Sequence, residues 1–394
     1  MPPVNILIKP ASSRCNMRCR YCFYHDVASM RKIKDLGVMK EETLKKLIKN
    51  GIDYGDHLVS FAFQGGEPTL AGLDFFEKVV FWQKQYLKES GKKNLRIHNA
   101  IQTNGYLIDD KWAAFFKKHH FLVGLSLDGP ANVHDKNRLD VCGEGTFSRI
   151  MKSVDFLNQY QVAYNILSVV TGQNAMAAKR IYRFFVRNHF KYLQFIPCLE
   201  PLEEERGVEG YHLCVKDYGQ FLIDIFDLWF ADFKLGVYTS IRHLDNWIFM
   251  LLGESPEACN MNGHCSIQFV VEGDGGVYPC DFYVLDEWRL GEVGESSFDE
   301  LVHTEKARKF IRDSIAVPEE CRRCRYQNLC RNGCKRDRVL DEGTGVLKNY
   351  YCKAVYRFFS EREKELLEAA ELVKKIRGYG TASESDETGC GNTE

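Results

Sequence analysis

The sequence predicts an α/β fold with a parallel sheet, followed by a smaller cysteine-rich unit. Three observations point there. Six short β-rich runs alternate with six longer amphipathic runs between residues 4 and 235. Polar, glycine-containing turns follow four of the β-rich runs. Eleven of the fifteen cysteines gather in two groups, 15–22 and 259–352.

In chain order the strand candidates are "NILIKP" (5–10), "LVSFAF" (58–63), "LRIHNAIQT" (95–103), "FLVGLSL" (121–127), "AYNILSVV" (163–170) and "YLQFIP" (192–197). Each is nearly continuously apolar, the pattern of a strand buried on both faces of a parallel sheet. Between and after them lie the helical patterns "KEETLKKLIKNGI", "LDFFEKVVFWQKQYLKE", "DDKWAAFFKKH", "TFSRIMKSVDFLNQY", "AMAAKRIYRFFVRN" and "VKDYGQFLIDIFDLWFADF". Six βα units in order give either an open doubly wound sheet or a barrel short of eight strands, and pattern alone leaves both open. The turns "QGGEPT", "NG", "DGP" and "TGQN" fall just past strands two to five, at the edge where parallel α/β folds bind ligands. The first cysteine group falls just past strand one, at the same edge.

Composition excludes several function classes. Lys plus Arg number 53 against 54 Asp plus Glu, so no overall field draws the chain to nucleic acid or to a membrane surface. No apolar run approaches the roughly 18 residues that span a bilayer. "MPPVNILIKP" lacks the basic start and small-residue end of a signal peptide, so a cytoplasmic protein is expected. In a reducing compartment clustered cysteines indicate metal or iron–sulfur ligation rather than disulfides. Cys142, Cys198, Cys214 and Cys390 stand alone and read as small apolar fillers or, for the last, an idle tail thiol.

"RCNMRCRYCFYH" (14–25) spaces Cys15, Cys19 and Cys22 as C-x3-C-x2-C. A zinc site completed from afar and a redox thiol pair compete with an iron–sulfur cluster, which normally takes one thiolate per iron. Three thiolates would leave one iron open. With an aromatic before its last cysteine, "CNMRCRYC" resembles the signature of radical S-adenosylmethionine enzymes, and "GGEP" (65–68) stands where that family contacts the cofactor's methionine amino group. The resemblance implies a partial (β/α)6 TIM-like barrel, with S-adenosylmethionine chelated by the open iron of a [4Fe–4S] cluster on Cys15, Cys19 and Cys22. It also implies cofactor contacts at Tyr21, Gly66, Ser126, Arg138 and Leu199. By sequence alone Ser126 reads as a turn cap and Arg138 as a solvated cation.

"CSIQFVVEGDGGVYPCDFY" (265–283) reads as a β-hairpin turning at "GDG". With Asp274 at its centre, Cys280 faces about Gln268, a few residues from Cys265. Downstream, "CRRCRYQNLCRNGC" gives C-x2-C-x5-C-x3-C, and Cys352 follows. Eight ligands suit two clusters or two zinc ions, and spacing does not choose. This half resembles the SPASM auxiliary-cluster domain, whose interleaved ligation implies that Cys259, Cys265, Cys280 and Cys334 hold one [4Fe–4S] cluster and Cys321, Cys324, Cys330 and Cys352 another, three clusters in all. The expected division is a barrel over 1–235, a SPASM domain over 236–377 and a disordered tail over 378–394.

Long segments, from "LIKPASSRCNMRCRYCFYH" to "NYYCK", are similar to the anaerobic sulfatase-maturating enzymes. That resemblance implies oxidation of a cysteine, or a serine, in a C/S-x-P-x-R segment of an unfolded or nascent sulfatase to Cα-formylglycine. It implies further that a 5′-deoxyadenosyl radical takes a Cβ hydrogen, Asp281 takes a proton and an auxiliary cluster takes an electron. Strand alternation would turn Asp281 away from Cys280 and toward the barrel mouth; unaided by the family, Asp281 reads as a surface hairpin aspartate. The expected partners are the sulfatase segment and an electron donor such as ferredoxin or flavodoxin, with no nucleic acid, no membrane and a monomeric chain. The rivals are another SPASM peptide modifier and a non-enzymatic iron–sulfur or zinc protein. Modifiers of that kind often add a leader-binding domain, for which the residues ahead of Cys15 leave no room.

Overall fold

A computed structural model describes residues 4–341 and 343–378. Six parallel strands follow one another in sheet order as in sequence: β1 (Val4–Ile8), β2 (Leu58–Phe63), β3 (Arg96–Thr103), β4 (Leu122–Ser126), β5 (Tyr164–Val170) and β6 (Tyr192–Pro197). A doubly wound sheet reverses its order at a switch point, and this one does not. The winding is therefore that of a partial barrel.

The chain after residue 235 continues the same sheet at both edges. β7 (Ser240–Ile241) pairs parallel with β6, and β8 (Val270–Val271) pairs parallel with β1. β9 (Gly276–Tyr278) and β10 (Gly291–Glu292) then add antiparallel strands, making ten in all. The hairpin β8–β9 pairs Val270 with Tyr278 and Val271 with Val277, and Gln268 N donates to Pro279 O at 2.9 Å. That register sets Cys280 opposite Gln268 and so welds the second cysteine group to the first strand of the barrel.

A helix follows each of the six strands: Glu41–Tyr54, Leu73–Ser90, Asp110–Lys118, Phe147–Gln159, Ala178–Arg187 and Val215–Lys234. Local chemistry sets their ends. Asp109, for example, caps Asp110–Lys118 by accepting from Trp112 N at 3.0 Å, worth about 1 kcal/mol. The strands face these helices with Val59, Phe61 and Phe63, all fully buried, each stabilising by about 1.5–3 kcal/mol.

The other face corrects the expectation of strands buried on both sides. Leu58, Ser60 and Ala62 are only half-buried, and Ser60 lies level with the exposed His98 of β3. Fewer strands than a closed barrel needs leave its interior unfilled by side chains, and this inward face keeps polar residues.

The last helix, Cys352–Ile376, packs back on the barrel through Phe358, whose ring lies 5.5 Å from Phe226 and 5.0 Å from Trp247. Among the described residues no helix is long and apolar enough to cross a membrane. The tail 378–394, expected to be disordered, lies outside the described residues except for Gly378, as does Cys390.

Candidate active site

The loop after β1 is held by the loops of three neighbouring strands. From the turn after β2, Gly66 N donates to Ser12 O at 3.0 Å and Glu67 N to Arg14 O at 2.7 Å. The loop after β4 accepts Arg18 N at Leu139 O and Arg20 N at Asn137 O, at 2.7 and 2.9 Å. From the end of β3, Asn104 Nδ2 reaches Asn16 Oδ1 at 2.8 Å and lies 3.7 Å from Cys15 Sγ. Glu67 ties two of these loops together by accepting from Thr69 N, Thr103 Oγ1 and Asn104 N. A Cβ on Gly66 would fall 2.0 Å from Arg14 O, so this glycine is required by the close approach of turn and loop.

Burial, with the charge of Glu67 next, pushes the Cys15 thiol up to about 12, and burial pushes Cys19 up to about 11. None of the three is in a disulfide. Half-buried soft donors, with Arg138 the cation that acts on Cys19, fit a cationic iron–sulfur group, which holds cysteine deprotonated.

The other expected residues lie at the C-terminal ends of later strands or on the thiol loop itself. Ser126 ends β4 and is buried, and Leu199 lies buried two residues past β6. Tyr21 is buried with its hydroxyl bonded to Asp128 and accepting from Arg138 Nη1 at 2.9 Å. Arg138 is 6% exposed, which overturns its reading as a solvated cation. Its Nε has no hydrogen-bond partner among the described residues, leaving an N–H suited to a carboxylate. Sequence reasoning missed Asp128 and Asn104; their signal was position, directly after the ends of β4 and β3.

Asp281 is brought to the same mouth by a 3₁₀ turn, Asp281–Tyr283, that begins directly after Cys280, and not by the strand alternation expected of it. It is buried, against its reading as a surface aspartate. Its Oδ2 accepts from Tyr24 Oη at 2.7 Å and from Gln64 Nε2 at 2.8 Å. Its Oδ1 lies 3.1 Å from Lys9 Nζ without an aligned hydrogen bond, so that contact is one of charge. Lys9 also lies 3.9 Å from Glu272, which Arg31 holds at 2.6 Å, so buried charges alternate in sign along the row. Tyr24, Gln64 and Lys9 stand on the helix begun by Cys22, just past β2 and just past β1.

The eight later thiols fall into two neighbourhoods. Cys280 is raised by burial and then by Cys334 and Cys259; Cys334 is raised by burial and by Cys265 and Cys259 among others. Cys330 is pushed up to about 11 by burial, with Cys352, Cys321 and Cys324 adding to it. Cys321 likewise feels Cys352, and Cys352 feels Cys324. The thiols that raise Cys334 are thus those of the hairpin region, while Cys352 is raised by Cys324 of the downstream run. Among the described residues no three His, Cys, Asp or Glu side chains converge tightly enough for one metal ion.

Residues 10–185 match the radical SAM superfamily, and residues 259–325 match the SPASM iron–sulfur cluster-binding domain. Fold and site therefore define a radical S-adenosylmethionine enzyme with a SPASM domain. The chain is 46% identical to the cysteine-type anaerobic sulfatase-maturating enzyme of Clostridium perfringens strain 13, over 95% of this chain and all of that one. It is 32% identical to the serine-type enzyme of Bacteroides thetaiotaomicron, over 91% and 89% of the two. A solved structure described as native anSMEcpe with bound AdoMet and Cp18Cys peptide superposes with a TM-score of 0.89 at 46% identity, over 95% of this chain and all of that one. The chain belongs to the anaerobic sulfatase-maturating enzymes.

Proposed function

We propose that this chain oxidises a cysteine in a C-x-P-x-R segment of a sulfatase polypeptide to Cα-formylglycine, with serine as the alternative substrate. Higher identity to the cysteine-type relative, 46% against 32% for the serine-type one, supports that order. The observation that carries the reading is the place of Asp281. One carboxylate is joined through Tyr24 to the helix begun by Cys22, while its chain neighbour Cys280 belongs to the second thiol group.

When bound, S-adenosylmethionine and a [4Fe–4S] cluster on Cys15, Cys19 and Cys22 supply a carbon radical that takes a hydrogen atom, and two further clusters, on Cys259, Cys265, Cys280 and Cys334 and on Cys321, Cys324, Cys330 and Cys352, supply electron acceptors. The residues do the rest. Arg138 offers its free N–H to the cofactor carboxylate, with Tyr21 and Asp128 fixing its position. Gly66, Ser126 and Leu199 line the remaining approach. Asp281 takes the proton of the substrate thiol, and Tyr24 and Gln64 hold its Oδ2 in place. Loss of one hydrogen atom, one proton and one electron leaves a thioaldehyde, which water converts to the aldehyde and sulfide.

We further place the boundary between barrel and SPASM domain at 235/236. We expect a monomeric cytoplasmic protein served by a ferredoxin or flavodoxin. The test is anaerobic incubation of the reconstituted chain with S-adenosylmethionine, a reductant and a C-x-P-x-R peptide. Mass spectrometry should find the loss that marks formylglycine; cofactor cleavage beside an unmodified peptide would sink the assignment.

A further inference from the structure

The segment 14–40, which carries the first thiol loop, has seven Lys or Arg residues and two acidic ones in a chain of net charge −1. Most of this charge is at the surface: Arg14, Arg18, Arg20, Lys32 and Lys34 are all exposed. Hydrogen bonds make one surface of it. Ser13 Oγ donates to Lys34 O at 2.8 Å, and Arg14 Nε donates to Asp35 at 2.7 Å, which seats the stretch 32–35 beside the thiol loop. On the other flank, the bonds from Arg18 N and Arg20 N to Leu139 O and Asn137 O seat the exposed Lys136 and Val141 against it. Two apolar side chains stand among the cations, Ile33 at 61% and Val141 at 60% exposure.

The second thiol region also has exposed arginines, but they are largely neutralised. Arg322 and Arg323 share Glu319, Arg325 is held by both oxygens of Glu363, and Lys348 pairs with Glu320. Among the described residues Arg20, Lys34 and Lys136 form no ion pair. A basic rim with apolar spots, set over half-buried thiols, is complementary to an acidic partner that must come close to the loop.

We propose that this surface docks a small acidic one-electron carrier protein, of the flavodoxin or ferredoxin kind, which passes its electron to the group held by Cys15, Cys19 and Cys22. The carrier is oxidised by one electron and that group reduced by one. This rests on the proposed function in requiring a reducible cluster on the loop, and not on Asp281 or on the peptide.

The experiment compares reconstituted enzyme with its Lys34→Glu/Lys136→Glu variant, using flavodoxin as the probe. Calorimetry at two ionic strengths should show flavodoxin affinity falling about tenfold in the variant, with a shallower dependence on salt. Reduction of the first cluster by pre-reduced flavodoxin, followed without peptide, should slow to match. Cofactor cleavage driven by dithionite should be unchanged, which also certifies the variant's fold. Unchanged flavodoxin affinity would overturn the proposal, as would a larger loss in Arg322→Glu/Arg323→Glu. Loss of sulfatase-peptide affinity with flavodoxin affinity intact would give the surface to the substrate and overturn it too. An enzyme that is reduced and cleaves its cofactor but leaves the peptide unmodified would refute the assigned reaction while leaving the docking surface standing.

Discussion

The two thiol regions solve one chemical problem in opposite ways. The first keeps its three cysteines within eight residues, on a single loop that three other loops clamp, two by backbone hydrogen bonds and one through the Asn104 side chain. The second spreads eight cysteines over residues 259–352 and brings them together through a hairpin fused to β1, a run of short turns and the first residue of the last helix. A local loop fixes geometry cheaply but leaves few ligands, which suits a site that must stay open to a cofactor. Eight dispersed thiols are enough to close two such sites, and bringing them together depends on the whole fold.

Breaking one cysteine in each region separates them most sharply. Cys22→Ala should abolish cofactor cleavage, read as 5′-deoxyadenosine formed. Cys334→Ala should leave cleavage and abolish formylglycine. Iron content tests the partition itself: from about twelve irons per chain, Cys280→Ala/Cys334→Ala should lose about four, as either single change does. Cys330→Ala/Cys334→Ala should lose about eight, and a loss of only four would mean that sequence neighbours share a cluster after all. Next in size is Asp281→Asn, which should keep all the iron and lower formylglycine formation by about 10²–10⁴-fold. Near-normal turnover would remove Asp281 from the proton step.

Gly66→Ala probes the clamp on the first loop. Its methyl group would overlap Arg14 O, so turn and loop must separate, at about 1–3 kcal/mol of stability. A lower melting temperature with weaker S-adenosylmethionine binding is the expected result, and an unchanged melting curve would mean that the turn has room to spare.

What could be read in advance follows the same contrast. β2 has the limits its apolar run suggested, and β6 likewise, because a strand's hydrophobic pattern is local. The thiols of the first loop were legible for the same reason. Sequence pattern could not choose between an open sheet and a barrel, because strand order is a tertiary fact; the resemblance chose, and the sheet order agrees. The inward faces of β2 and β3 were misjudged, since an apolar run does not reveal that one of its sides lines an unfilled interior. Asp128 and Lys9 were missed outright. Their place just past a strand end marks the ligand-binding edge but not a role, because their partners Tyr21 and Asp281 come from distant parts of the chain.

The smallest effect expected is also the most specific to the seam between the regions. Tyr24 belongs to the first by chain position and to the second by its bond to Asp281, with Gln64 supplying the other donor to the same oxygen. Tyr24→Phe keeps the ring, and with it the 4.0 Å packing on Phe23 and the Lys9 ammonium 4.7 Å from its centre. Only the hydroxyl is lost. A hydrogen bond to a charged group is worth about 1.5–3 kcal/mol, but Gln64 remains, so the lower end applies and formylglycine formation should fall about tenfold. Iron content and dithionite-driven cofactor cleavage should not change, because no thiol contact is touched. A variant that also loses cleavage would show that Tyr24 serves the first loop directly, and the seam would then lie at Gln64 and Lys9 instead.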